Sequence, residues 1–282
     1  MSNASQLAKT GPGPAGRTTA SRRFPVQVGR FDDPAARSVI DGLVRWVEQT
    51  YREELRQRPS KHVYVRTLPE PVTEQVDRLR EGPVIRAAIM QQFDPDWLLT
   101  PMKHTDELYI SHYNKDYGGD QGLFTRHYDG NLRFVSFGSV VRALIYLQSD
   151  ASYKVVFEDS RIEKAFTTYD FALLDFHREL HGVEGEYRPE DRQRILLKCN
   201  YLIAPRNAAG RTRAVLGANT AVFYVVKAAM EYSKSPSTPA QRAVGLLCNV
   251  FRLMNNVHPF VPLAFLLLVA AAAGLAVHRL VA

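Results

Sequence analysis

Cysteine is scarce. Only Cys199 and Cys248 occur in 282 residues, they sit in different segments, and no Cys-x-x-Cys appears. A disulfide framework and a thiolate zinc site are therefore not expected, and a reducing compartment fits best. A dense Lys/Arg block interleaved with aromatics is also missing, so nucleic acid is not expected as a partner. The net charge of +7 is a modest excess, suited to an acidic partner or an anionic membrane surface. The N-terminus lacks the apolar stretch of a secretory signal. It opens MSNASQLAKTGPGPAGRTTASRR, rich in Gly, Pro, Ser and Thr, and residues 1–30 are expected as a disordered tail. Because the stretch is basic and free of acids, a transit peptide is the alternative. No internal repeat is visible.

What the chain does have is 45% hydrophobic residues, enough for one sizeable core with appendages. The last charge-free run is PFVPLAFLLLVAAAAGLAV, from Pro259 to Val277, followed by His278-Arg279. About 20 helical residues span a hydrocarbon core of about 30 Å, so residues 258–282 are expected as a transmembrane tail anchor, with a buried core helix as the alternative. A tail anchor leaves the preceding domain on the cytosolic side. Residues 206–257 read as linker and amphipathic helices: Ala214 to Met230 is apolar but carries Lys227, and Val244, Leu247, Phe251 and Met254 form a helical stripe. Either segment suits a membrane surface or a face of the main domain.

Residues 31–205 form the expected domain. From Asp32 to about Arg58 the pattern is helical, with Asp32 or Asp33 as cap, Pro34 in the first turn, and Val39, Leu43, Val47 and Tyr51 as an apolar stripe. A second helical region covers 72–92 and is interrupted at Gly82-Pro83. After Pro101 the period changes to two. Strands are expected at 107–113, 123–127, 132–137, 140–148, 153–158, 161–168, 171–176 and 194–203. Many short strands with turn signals between them indicate a sandwich, barrel or jelly roll. The fold expected is mainly β with N-terminal supporting helices, an α+β arrangement around a double-stranded β-helix.

Most of the eight histidines need no function. His127 and Asp129 differ, because residues two apart on an extended segment point the same way. The stretch FTRHYDGNLRF also reads as a hairpin tip at Asp129-Gly130-Asn131, and both readings hold together if the turn follows the ligand pair. His181, in LLDFHRELHGVEG, comes after an apolar strand. Two histidines and one carboxylate make a facial triad that leaves coordination positions open. The last strand, Arg194 to Ile203, puts Ile195, Leu197, Cys199, Tyr201 and Ile203 on an apolar face. Its other face carries Arg194, Leu196, Lys198 and Asn200. That cationic stripe suits either a solvated surface or a lumen holding an anion.

At these residues the chain resembles the 2-oxoglutarate/Fe(II)-dependent dioxygenases, in particular the prolyl-4-hydroxylase-like branch. The resemblance covers roughly residues 107–203. It is carried by Tyr109-Ile-Ser-His-Tyr113-Asn, Gly118-Gly119-Asp, His127-Tyr-Asp129, VRALIYLQ, the strand before the distal histidine, and His181-Gly-Val. It implies Fe(II) on His127, Asp129 and His181, and 2-oxoglutarate chelated to the iron. Arg194 would pair with the far carboxylate, helped by Tyr109 or Tyr113, and Arg192 and Lys198 share the side of Arg194 if the strand is regular. O2 is the second cosubstrate, and the resemblance admits ascorbate as an accessory reductant. The glycine-rich turn common in the family after this strand is replaced by Gln148-Ser-Asp-Ala-Ser-Tyr-Lys. Loops at 115–126 and 149–153 would shape the entrance for a protein side chain or lipid-like substrate. Alternatives are a cupin-like metal protein of other chemistry and a non-enzymatic tail-anchored binding module.

Overall fold

The computed structural model describes residues 23–56, 60–111, 126–129, 138–185 and 193–208, with shorter pieces at 210–212, 214, 229 and 238–247. Its first helix, α1 (Pro34–Arg56), begins as the sequence indicates. The Asp33 carboxylate accepts the amides of Ala35 and Ala36 at 3.3 and 3.1 Å, and Pro34 occupies the first turn, where its missing N–H costs nothing. Ile40, Leu43, Val47 and Leu55 are buried, while Val39 and Tyr51 lie at the margin. Full burial of each such side chain contributes about 1.5–3 kcal/mol. Gly82-Pro83 splits the second helical region into α2 (Glu70–Arg80) and α3 (Pro83–Met90).

The strands among the described residues form two antiparallel sheets. The larger has the order β1-β8-β5-β10-β4-β2, with β3 also pairing β10. Its strands are β1 (Gln27–Arg30), β2 (Ser60–Tyr64), β3 (Trp97–Pro101), β4 (Glu107–Ser111), β5 (Ser139–Gln148), β8 (Asp170–Asp175) and β10 (Arg194–Pro205). The smaller has the order β7-β6-β9, from β6 (Asp150–Phe157), β7 (Ile162–Thr167) and β9 (His181–Glu184). Every strand pair is antiparallel, and the arrangement is consistent with a jelly-roll-like fold.

Strand alternation divides the core in two. Ile195, Leu197, Cys199, Tyr201 and Ile203 of β10 join Val141, Ala143, Ile145 and Leu147 of β5 in a cluster with residues of α1, α2 and α3. The other face of the larger sheet sends Tyr109, Leu144, Tyr146 and Leu196 into a second cluster with Tyr153, Val155, Phe157, Phe166 and Val183. The Tyr146 and Phe166 rings stack there at 4.3 Å. The helices thus cover one face of the larger sheet, and the smaller sheet faces the other.

One boundary needs correction. Of the tail expected over 1–30, residues 24–30 belong to the ordered domain, and residues 1–22 lie outside the described residues: Phe24 and Val26 are buried, and Gln27–Arg30 pairs with β8 from Gln27↔Leu173 to Arg30↔Asp170. The Phe24 amide donates to Asp175 Oδ2 at 3.2 Å. The strands β2, β3 and β9 were not expected either. Those expected at 123–127 and 132–137 lie almost wholly outside the described residues, as does the apolar run 258–282. No helix among the described residues is long and apolar enough to cross a membrane. Within the expected amphipathic region, residues 239–247 are helical. Thr238 Oγ1 accepts the Gln241 amide, and Gln241 Oε1 accepts the Thr238 amide, at 3.2 and 3.0 Å. This reciprocal pair is a capping box, and it opens a helix with Leu246 and Leu247 exposed.

Candidate metal and cosubstrate site

The site is built where the two sheets face each other. His127 and His181 form an antiparallel bridge, with the His127 amide donating to the His181 carbonyl at 2.9 Å and the His181 amide to the His127 carbonyl at 3.1 Å. Directly opposed residues point to the same face, so the imidazoles come together with centroids 4.7 Å apart. Gly182 permits this approach: a Cβ there would lie 3.1 Å from the Arg126 side chain and 3.3 Å from its Cα, on the segment that delivers His127.

Asp129, two residues on, places its carboxylate between the rings. His127 Nε2 lies 3.5 Å from Oδ1, and His181 Nε2 lies 3.5 Å from Oδ2. One ligand atom from each of the three residues falls within 4.8 Å of the others. Asp129 Oδ2 is buried without a hydrogen-bond partner, a costly state for a carboxylate oxygen unless a cation completes it. Two imidazoles and one carboxylate on one side are also the donor set that suits Fe(II). The residues fit the metal on both counts.

Electrostatics favour ligand-ready forms. Burial would raise the Asp129 carboxyl, but the neighbouring Arg142 guanidinium, foremost among several charges, holds it well below the usual carboxylate range. Burial pushes the His181 imidazole down to about 4, so the ring is neutral at pH 7. Its Nδ1 stands 3.2 Å from the Glu179 carbonyl oxygen, which can only accept. Nδ1 therefore carries the proton, and Nε2 presents its lone pair to the site.

A cavity of about 300 Å³ opens beside the triad, bordered by His62, Tyr109, Tyr146, Arg194 and Lys198 and by the apolar side chains of Leu144, Val155, Val183 and Leu196. Arg194 is 3% exposed and lies against two rings, 5.4 Å from the Tyr146 centroid and 5.0 Å from that of Tyr153. Lys198 also reaches the cavity, but its Nζ pairs with Glu107 at 2.8 Å and sits 4.9 Å from the Tyr109 centroid. Burial opposes ionisation of Glu107, yet Lys198 and His62 together hold its carboxyl below the usual range. Tyr109 is buried in the cavity wall. Tyr113 and Arg192 lie outside the described residues.

No protein-family model matches the sequence, and no curated protein matches it. Solved structures do resemble it. AviO1 from Streptomyces viridochromogenes is 14% identical with a TM-score of 0.44, over 64% of this chain and 91% of that one. The non-heme alpha-ketoglutarate-dependent epimerase SnoN from nogalamycin biosynthesis is 14% identical with a TM-score of 0.45, over 66% and 82%. A viral collagen prolyl hydroxylase from Paramecium bursaria Chlorella virus 1 is 10% identical with a TM-score of 0.41, over 70% and 98%.

Sequence reasoning missed several residues at the site. Arg142 pairs with Asp129 Oδ1 at 2.6 Å, and its signal was a lone charge inside the apolar strand SVVRALIYLQ. Tyr146 and Tyr153, against Arg194, carried none beyond their place in alternating strands. His62 and Glu107 meet at 3.3 Å across β2 and β4, a pairing that only the sheet order reveals.

Proposed function

We propose that this protein is a 2-oxoglutarate- and Fe(II)-dependent oxygenase that hydroxylates a protein side chain or a lipid-like substrate while held at a membrane by residues 258–282, with its catalytic domain in the cytosol. The observation that carries the reading is the convergence of His127, Asp129 and His181, with a buried Asp129 oxygen that has no hydrogen-bond partner.

In this reading the three side chains hold the metal. Arg194 offers its fork to the far carboxylate of 2-oxoglutarate, and Tyr109 lines the same cavity. The aromatic walls of Tyr146 and Tyr153 keep water from Arg194, which strengthens its pairing with an anion. Leu144, Val155, Val183 and Leu196 keep the reacting centre dry. When bound, Fe(II) and 2-oxoglutarate supply the activation of O2, so that one oxygen atom enters the substrate C–H bond and the other enters succinate as CO2 leaves. The protein's part is to hold the cosubstrate and the C–H bond in register.

The test is release of succinate from 2-oxoglutarate by purified protein given Fe(II), O2 and ascorbate, screened against peptides and lipids. His181→Ala and Asp129→Ala are expected to abolish it. Metal uptake without 2-oxoglutarate dependence would favour a cupin-like protein of other chemistry, and absence of metal uptake a binding module. Flotation with liposomes tests the anchor: the full chain is expected to float, and a chain ending at residue 257 to stay behind.

A further inference from the structure

We propose that Arg142 is a positioning residue, which occupies one oxygen of Asp129 so that the carboxylate offers the metal its other oxygen alone. This rests on the reading of the site as a metal centre. Arg142 is 7% exposed and sits in the middle of β5, facing the space between the sheets.

Three contacts fix its guanidinium. One terminal nitrogen pairs with Asp129 Oδ1 at 2.6 Å. Nε donates to Asn200 Oδ1 at 2.9 Å. The plane rests against the Phe176 ring, 4.5 Å from its centroid. Asn200 stands directly opposite Arg142 in the β10–β5 register. Its own amide is oriented from behind, because Nδ2 donates to Thr105 Oγ1 at 2.8 Å, which leaves Oδ1 turned to Arg142. Thr105 in turn donates to the Met102 carbonyl at 2.8 Å.

This arrangement is asymmetric about the carboxylate. Oδ1 receives a charge-assisted hydrogen bond, and Oδ2 has no hydrogen-bond partner. A carboxylate with both oxygens open can chelate a metal through both and close a coordination position. With Oδ1 engaged, Asp129 contributes one donor, and three positions stay open for a bidentate cosubstrate and O2. The cation also compensates the buried carboxylate before any metal arrives, so the ligand is preformed. A lysine could keep the charge, but it has no second nitrogen for Asn200 and no plane for Phe176.

The experiment titrates Co(II), then 2-oxoglutarate, into the full-length protein in detergent. It follows the visible absorption of the metal and the dissociation constants, with thermal unfolding of the metal-free proteins alongside. Wild type is expected to bind one Co(II), with a spectrum that changes on adding 2-oxoglutarate. Arg142→Met is expected to bind Co(II) about 10–100-fold more weakly with altered band intensities, and Arg142→Lys to fall between. Asn200→Ala keeps Arg142 but removes its brace, and should shift the affinity in the same direction by less. A folded Arg142→Met with wild-type spectrum and affinity would overturn the proposal and leave the iron reading standing. If that variant does not fold, Asn200→Ala decides: an unchanged affinity and spectrum overturns the proposal. Wild type that takes up no Co(II) would instead overturn the iron reading itself.

Discussion

Replacing Arg194 by Met separates the cations that the sequence left in competition for the cosubstrate. Met keeps an apolar stem between the Tyr146 and Tyr153 rings, 5.4 and 5.0 Å from the guanidinium, so packing is largely preserved while the charge is lost. A hydrogen bond to a charged group contributes about 1.5–3 kcal/mol. At 1.4 kcal/mol per tenfold, that predicts 2-oxoglutarate binding weakened roughly 10- to 150-fold. Lys198 is already paired with Glu107 at 2.8 Å and is less enclosed. Removing that pair together, as Lys198→Met with Glu107→Gln, avoids leaving an unbalanced carboxylate in the cavity. In this assignment neither partner touches the cosubstrate, so the double variant is expected to change the affinity by less than about fivefold, about 1 kcal/mol. Calorimetric titration of 2-oxoglutarate into the Co(II) protein measures both. Wild-type affinity in Arg194→Met, with the loss appearing in the Lys198/Glu107 variant, would refute the assignment and move the anion anchor four residues along β10.

Two further outcomes follow from buried charge. His181 is lowered to about 4 in the fold from an ordinary 6.5, so the unfolded chain binds the extra proton between those values. Stability of the metal-free protein should therefore be full above pH 6.5 and fall as pH drops through 4, by on the order of 3 kcal/mol. Urea unfolding across that range, compared with His181→Gln, measures it, and an equal slope in the variant would exclude His181 as the source. Arg80→Met leaves Asp106, fully buried and paired with Arg80, without its cation. A loss of about 3–5 kcal/mol is expected, read as a lower urea midpoint, and a loss below about 1 kcal/mol would mean the site relaxes or hydrates.

The sequence showed most where a signal is local. Asp33 and Pro34 announce α1 within a few residues, and the alternation from Ile195 to Ile203 separates the apolar face that packs on the helices from the face bearing Arg194, Leu196 and Lys198, while leaving open whether that second face meets solvent or the lumen it in fact borders. His127 and Asp129 could be paired because two-residue spacing fixes a common side. What joins them to His181 is a backbone bridge between distant segments, and no spacing reports that. The short strands escaped for a related reason. The four residues of β1 follow a Gly, Pro, Ser and Thr-rich stretch and acquire a partner only through β8, while β2 and β3 are five-residue strands bordering the sheet. Arg142 is hidden from any argument by periodicity, because the lone charge in the apolar strand SVVRALIYLQ is the exception to the period.

That exception also explains how the helical layer bears on the site. Arg80 of α2 pairs with Asp106. Asp106 Oδ1 accepts the Asn200 amide at 3.1 Å, Asn200 accepts from Arg142 at 2.9 Å, and Arg142 holds Asp129 at 2.6 Å. The chain of charged and polar groups crosses the larger sheet from its helix-covered face to its cavity face. Asp129 stands outside any of the named strands, where backbone pairing alone would fix it weakly. Its orientation is set instead by β5 and β10, two central strands paired over most of their length. The carboxylate proposed as a metal ligand thereby takes its position from strands at the centre of the larger sheet, and the alternation of β10 lets that one strand close the helical core and face the cavity at once.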